Sequence, residues 1–351
     1  NEKVFISMSS HKGVETKMSS EITSVEQLRM IAKVAQMYHS QSMRQTDIAK
    51  LLGVSQARVS RILSSAEQLG IVRTKVVSPD GLFPEQEQML EKLYGLSQGH
   101  VVAVDQFSKS EASDELGKAL ASVLEVMPLE GLSIGFTPWS RSLRHLAREF
   151  SPSQKISAKA VVELMGGVGP PAVQHEATVA TDLFAKATGA EVMFLRAPSV
   201  VKSKELASSI IDNDPHAKIA LQLMNNLDIA LLGLGSCEIV PPMEAGNNFP
   251  SEAQLQAAMN SGAVGQINLR FFDSNGKPVR TELDELVLGI THEQMMSTPI
   301  RIGVAGGEAK RDALRAALKG KLINVLVTDY SDAEYLIEQA LMEQKATGAS
   351  A

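Results

Sequence analysis

The sequence predicts a small all-α domain, carrying a helix-turn-helix with a short wing, followed by a larger doubly wound α/β domain with a mainly parallel sheet. Three observations support that fold class. Residues 44–63 carry two short amphipathic helical patterns around a glycine. From His100 onward, seven Val/Ile/Leu runs alternate with helical stretches, the pattern of parallel strands with helices on both faces. Several of those runs end in glycine, polar or turn residues, where open α/β sheets place their ligand loops. A length of 351 residues accommodates both domains, and 44% hydrophobic with 21% charged residues is ordinary globular composition.

Taken in order, residues 1–23 are polar, lack a signal-peptide core and read as a disordered lead. The first domain is expected over residues 24–80. Ser24 and Gln27 have capping-box spacing at its first helix. In Arg44–Leu52, Ile48, Ala49 and Leu52 share one face, and Gly53 supplies the positive φ that ends the helix. Ser55 is a natural N-cap for the next helix, in which Val59, Ile62 and Leu63 point inward. That leaves Gln56, Ala57, Arg58, Ser60 and Arg61 facing out, the layout needed to lay a helix in the major groove of DNA. Ile71–Val77 alternates as an edge strand or wing would, with Arg73 and Lys75 on its solvent face. Ser55, Gln56, Ala57, Arg58, Ser60, Arg61, Arg73 and Lys75 are therefore the candidate DNA contacts.

Charge distribution agrees. Net charge is −6, but residues 24–80 carry +4 and the chain beyond them −10. A basic module on an acidic body directs the module to phosphates and keeps the body off them.

Ser78-Pro79-Asp80-Gly81 is a turn and the expected domain boundary. Residues 81–99 read as a linker helix, 100–344 as the α/β domain and 345–351 as a frayed tail. The expected strands are 100–104, 132–136, 160–164, 192–195, 229–234, 300–305 and 323–328.

Three strand-end loops have ligand-binding chemistry. Thr137-Pro138-Trp139-Ser140-Arg141 precedes a helix, whose free N–H groups favour an anion. Trp139, the single tryptophan, is either core or a stacking surface for a sugar ring. Gly166-Gly167-Val168-Gly169 would let backbone approach a ligand, or simply make a tight turn. Gly306-Gly307 is followed by Lys310, one turn into the next helix and able to reach back to an anion. Asp273–Gly276 reads as a hairpin turn, and Gln266 is a further candidate contact.

No catalytic constellation emerges. His175-Glu176 and His292-Glu293 lack the second histidine of a zinc-binding helix, and Cys237, the single cysteine, has no CxxC partner. No metal or cofactor is expected. The lone cysteine suits a reducing cytoplasm, and no apolar run approaches the ~20 residues that span a bilayer.

With these residues in hand, the chain resembles the SorC family of bacterial sugar-responsive transcriptional regulators over roughly residues 28–340. The specific pieces are Gly262-Ala263-Val264-Gly265 with Arg270-Phe271-Phe272-Asp273, Val304 to Lys310, and Ala316 to Asp329. Asp47-Ile48-Ala49, Val59 to Leu63 and Gly70-Ile71-Val72 match at the front. The resemblance implies an effector domain folded like sugar-phosphate isomerases and glucosamine-phosphate deaminases but without their reaction. It further implies a homodimer or homotetramer on double-stranded operator DNA, controlled by a sugar, polyol or phosphosugar and not by a membrane. Thr137, Trp139, Ser140, Arg141, Gly166, Gly167, Val168, Gly169, Gln266 and Lys310 would line the effector site. Gln266 stands where many relatives carry aspartate, and Pro138-Trp139 replaces smaller residues. The alternative reading is a sugar-phosphate isomerase or deaminase with an N-terminal adaptor.

Overall fold

The structure is a computed structural model that describes residues 25–72, 81–104, 109–238 and 248–348. The chain divides into two compact units, residues 1–77 and 78–351. Ser24, Arg73, Lys75 and the turn at 78–80 lie outside the described residues, so the expected wing is not described beyond Val72.

The first unit contains α1 (Val25–His39), α2 (Gln45–Leu52) and α3 (Gln56–Gln68). Its core is Val34 and Met37 of α1, Ile48 and Ala49 of α2, and Val59 and Leu63 of α3. Gly53 ends α2 at φ 63°, and its N–H caps carbonyls of the last turn. The Ser55 side chain accepts from the Arg58 N–H and starts α3.

In the second unit, seven parallel strands follow the spatial order β1 (Gln98–Val102), β9 (Val325–Asp329), β8 (Ile300–Val304), β5 (Ile229–Gly235), β2 (Ser133–Phe136), β3 (Ala160–Glu163) and β4 (Glu191–Met193). The chain moves from β2 outward through β3 to β4, then returns to β5 on the other side of β2. The crevice between β2 and β5 is therefore the topological switch point, where such sheets bind ligands.

Strand alternation divides the core. Ile134, Phe136, Val161, Ile229, Leu231, Ile302 and Val304 meet α5 (Lys109–Glu125), α6 (Arg141–Glu149) and α7 (Pro171–Thr188) on one face. Val162, Ala230, Leu232, Leu234 and Leu326 meet α9 (Pro215–Leu223), α13 (Arg311–Lys319) and α14 (Tyr330–Gly348) on the other. Both faces of the sheet are apolar because both are covered, which is why the strands read as continuous hydrophobic runs.

The expected linker helix is α4 (Pro84–Tyr94), and it belongs to the second unit. Tyr94 donates to the Leu336 carbonyl on α14 at 2.8 Å. Carboxylates of Glu91 and Glu87 accept from the Gly99 and Val101 N–H groups, each at 3.0 Å, and so occupy donors on the open edge of β1. At the other end, α14 continues past Lys345 to Gly348.

One hairpin departs from the parallel pattern. Strands β6 (Gly265–Ile267) and β7 (Arg270–Phe272) pair antiparallel, and β6 also pairs with β5. They are joined by Asn268 and Leu269 at φ 51° and 60°, both in the left-handed region that a two-residue hairpin demands. The Asp273–Gly276 turn follows, with the Gly276 N–H donating to the Asp273 carbonyl. Arg270 is buried and donates to the carbonyls of Asp284, Val287, Gly289 and Ile290, so this family-like arginine serves the fold.

Candidate functional site

In the first unit, Ser55, Gln56, Ala57, Arg58, Ser60 and Arg61 are all exposed, while Val59 and Leu63 are buried beneath them. Arg61 spends its Nε–H on the Ala57 carbonyl at 3.3 Å, which leaves its terminal guanidinium nitrogens free to reach outward.

In the second unit, the β2 loop opens with Thr137, which is buried and donates to Asn268 Oδ1 at 3.1 Å. Ser140 caps α6 by accepting from the Leu143 N–H. Gly233 on β5 permits this close packing, since a Cβ there would lie 2.6 Å from Ser140 Cβ. Arg141 is the first, exposed residue of α6. Trp139 is only 8% exposed and packs with Met165 and Val168, yet its Nε1–H has no hydrogen-bond acceptor. Asn268 Nδ2 is a second buried donor without an acceptor. Unsatisfied buried donors each cost about 1–3 kcal/mol, and both of these atoms are sealed from solvent.

The β3 loop is held by side chains from far along the chain. Asn248 donates to the Gly167 carbonyl at 2.7 Å and accepts from the Gly169 N–H at 3.0 Å. Gln174 donates to the Gly169 carbonyl at 2.8 Å. A Cβ at Gly166 would fall 2.4 Å from the Ala197 carbonyl oxygen, so this glycine is required for backbone packing. Val168 is fully buried and belongs to the core beside Trp139.

After β8, Gly307 takes φ 97° and a short 3-10 turn, Glu308–Lys310, leads into α13. Lys310 thus sits at the cap of α13, not one turn inside it. The Gly307 N–H donates to both Asp329 at 3.1 Å and Asp332 at 2.7 Å, and Arg311 pairs with Asp332 at 2.7 Å. This clamp sets the position of Lys310. Burial pushes the Lys310 amine below its ordinary pKa, the positive charge of Arg141 adds to that, and Asp332 partly offsets it. Two cations from different strand ends thus disfavour one another.

Gln266 spends its carbonyl oxygen on the fold. Its Oε1 accepts from the Leu269 N–H at 2.9 Å, and a Cβ at Gly235 would touch its Nε2 at 2.5 Å. Gln266 therefore braces the strained turn that delivers Asn268 to Thr137.

A cavity of about 420 Å³ opens beside these loops, lined by Trp139, Glu163, Gly167, Gln174, Arg196 and Asn248 among others. Glu163, at the end of β3, is buried and accepts from Thr181 Oγ1 at 2.9 Å and the Leu195 N–H at 3.0 Å. Burial raises its carboxyl to about 7, against the lowering effects of those two bonds and of Arg196. A carboxyl raised in the folded state favours folding below its unfolded pKa, and that advantage is lost as pH rises through 7. Glu163→Gln is therefore expected to stabilise the unliganded protein by about 2 kcal/mol at pH 8 and by little at pH 4.5, read as denaturant midpoints.

Sequence reasoning missed Asn268, Asn248, Gln174, Glu163 and the Asp329–Asp332 clamp. An asparagine in a left-handed turn is a usable signal for the first. The others act across long sequence separations and leave no local pattern.

Comparison with known proteins bears on this geometry. Residues 83–338 match the family described as "Putative sugar-binding domain". The chain belongs to this family. The family's extent covers the switch-point loops, the hairpin and Lys310. The sorbitol operon regulator of Klebsiella pneumoniae is 28% identical over 317 residues, covering 89% of this chain and 99% of that protein. The deoxyribonucleoside regulator of Bacillus subtilis is 26% identical, covering 89% and 98%. The crystal structure of the full-length Klebsiella regulator superposes with a TM-score of 0.65 at 27% identity, covering 88% of this chain and 98% of that one. No helix among the described residues is long and apolar enough to cross a membrane.

Proposed function

We propose that this protein is a ligand-controlled transcriptional regulator of carbohydrate catabolism genes. On this reading, α3 reads operator DNA and the switch-point loops of the second unit bind a sugar, polyol or phosphosugar. The observation that carries it is a sugar-binding family domain whose strand-end residues Arg141 and Lys310 lie near enough for the charge of one to perturb the other. Two cations suit a phosphate. The exposed Arg58 and Arg61 supply the guanine or phosphate contacts, with Gln56 placed to read adenine. One helix pair reads only a few base pairs, so the operator-bound form is a homodimer or homotetramer on a two-fold site in the cytoplasm. Relatives named as regulators of operons support the same reading.

Glu163, a buried carboxyl at a cavity wall, is the observation that favours a sugar-phosphate isomerase or deaminase instead. The two readings separate cleanly. A thermal-shift screen of sugars, polyols and their phosphates, run beside retardation of the gene's own upstream DNA, is expected to find a stabilising ligand that alters retardation without being consumed. At 100 times its dissociation constant that ligand stabilises by about 2.7 kcal/mol. Turnover of a sugar phosphate with no retardation of DNA would overturn the proposal.

A further inference from the structure

The two ends of the parallel sheet are finished differently. At one end, Glu91 and Glu87 of α4 occupy N–H groups on the edge of β1. At the other, β4 pairs with β3 alone among the described residues, and an open strand edge invites further association. The helix on that flank is α7, which packs on α6, β3 and β4. Its outer face carries apolar groups at mid-length. Val179 and Leu183, four residues apart and so neighbours on one face, are 42% and 39% exposed. Glu176 and Lys186 are exposed too, one turn before that pair and one turn after it. Thr181 lies at the centre of the four in sequence, but it is fully buried on the opposite side of the helix and donates to Glu163.

The order of these residues is self-complementary. Val179 and Leu183 are equidistant from Thr181, and so are Glu176 and Lys186. Two copies of α7 laid antiparallel about a two-fold axis set Val179 against the partner's Leu183 at the centre, and Glu176 against the partner's Lys186 at each rim. A parallel arrangement would stack Glu176 on Glu176 and Lys186 on Lys186. We infer that this face of α7 is an interface with a second copy of this chain, closed antiparallel about a two-fold axis. Such a contact is isologous, so one surface supplies both halves of its own complement. The inference rests on the reading of the protein as a homodimer or homotetramer, and it gives that assembly a surface. Two-fold pairing is also the symmetry that an operator with two half-sites demands. Lys186 already bonds Asp182 of its own helix at 2.5 Å, but its side chain is 72% exposed and an ammonium has three donors, so it can serve both carboxylates. On the first turn of the same helix Gln174 holds the Gly169 carbonyl, so the helix that meets the second copy also braces a strand-end loop.

The test is sedimentation velocity of the full-length protein from nanomolar to micromolar concentration, at low and high salt. Leu183→Glu is expected to weaken self-association about tenfold or more, taking a dimer to monomers or a tetramer to dimers, because it sets a charge at the apolar centre. Leu206→Glu, at a comparably exposed leucine of α8 (Lys204–Asn213), should leave association unchanged. Glu176→Lys and Lys186→Glu should each weaken it about fivefold at low salt and less at high salt, since exposed charges are screened. Combining the two restores opposite signs across the axis and should return association to within about twofold of the parent. Near-UV circular dichroism checks that each variant is folded. The swap separates pairing from misfolding, because two damaged singles do not repair one another. Association that survives Leu183→Glu, that falls equally in Leu206→Glu, or that the swap fails to restore overturns the inference. Retardation of upstream DNA by the parent then leaves the regulator reading in place. A parent chain that stays monomeric with and without DNA removes the inference and the assembly reading together.

Discussion

Replacing Arg58 and Arg61 together with alanine is expected to lower operator affinity at least a hundredfold while leaving effector-induced stabilisation unchanged. Both side chains are exposed on α3, whose inward face of Val59 and Leu63 holds the helix in place. Removing them costs the fold little, because surface substitutions away from packing usually change stability by less than about 0.5 kcal/mol. Their value lies in contacts to bases or phosphates, each worth about 1–3 kcal/mol. Two such losses amount to about 2–6 kcal/mol, and a dimer carries the pair twice. Fluorescence anisotropy with labelled upstream DNA measures the loss, and a thermal shift with effector confirms an intact second unit. Operator affinity that survives the double substitution would show that α3 is not the reading helix.

Lys310→Met is the second large effect, and it moves two observables in opposite directions. Lys310 is half-buried, and desolvation together with the positive charge of Arg141 disfavours its ammonium, so that charge costs the folded state stability. Methionine keeps most of the volume and removes the charge. The unliganded variant should therefore be at least as stable as the parent. The sign with pH follows from linkage. A base whose folded pKa is lowered costs stability while the unfolded amine is protonated, and the cost disappears as pH rises past the unfolded value of about 10.4. The gain from Lys310→Met is thus present at neutral pH and shrinks in alkali. Phosphosugar affinity should meanwhile fall about a hundredfold, equivalent to about 2.7 kcal/mol, because a charge-assisted bond in a desolvated site is lost. Calorimetric titration measures the second effect and denaturant midpoints the first. A variant that is less stable and binds as before would make Lys310 a structural residue.

How far the sequence announced this molecule can be judged element by element. All seven apolar runs became parallel strands, because a strand covered on both faces has to be continuously hydrophobic. Their bounds moved where chemistry other than hydrophobicity decides them. Strand β1 starts at Gln98, two residues before its apolar run, because Glu91 and Glu87 of α4 satisfy its edge N–H groups. The β6–β7 hairpin escaped notice because its turn, Asn268-Leu269, puts a leucine at φ 60° where glycine would have been the signal. A left-handed leucine costs on the order of 1 kcal/mol or more, and the return is Asn268 aimed at Thr137.

The candidate site was legible as loops but only partly as side chains. Trp139, Ser140 and Gly167 lie on loops at the strand ends, with Arg141 opening α6 and Lys310 at the cap of α13. Thr137 and Val168 turned inward, Gly166 serves backbone packing, and Gln266 braces a turn. Glu163 read simply as a residue within the 160–164 strand. What makes it chemical is burial beside a cavity whose other walls come from Arg196 and Asn248, and no local pattern contains that juxtaposition.

The central claim is that occupancy of the strand-end site and occupancy of DNA are coupled, and coupling of that kind is reciprocal. Trp139 fluorescence gives the effector's dissociation constant with and without saturating operator DNA. The account predicts that DNA changes that constant by the same factor, roughly 5- to 150-fold, by which effector changes operator affinity. Equal effector affinities with and without DNA would contradict it.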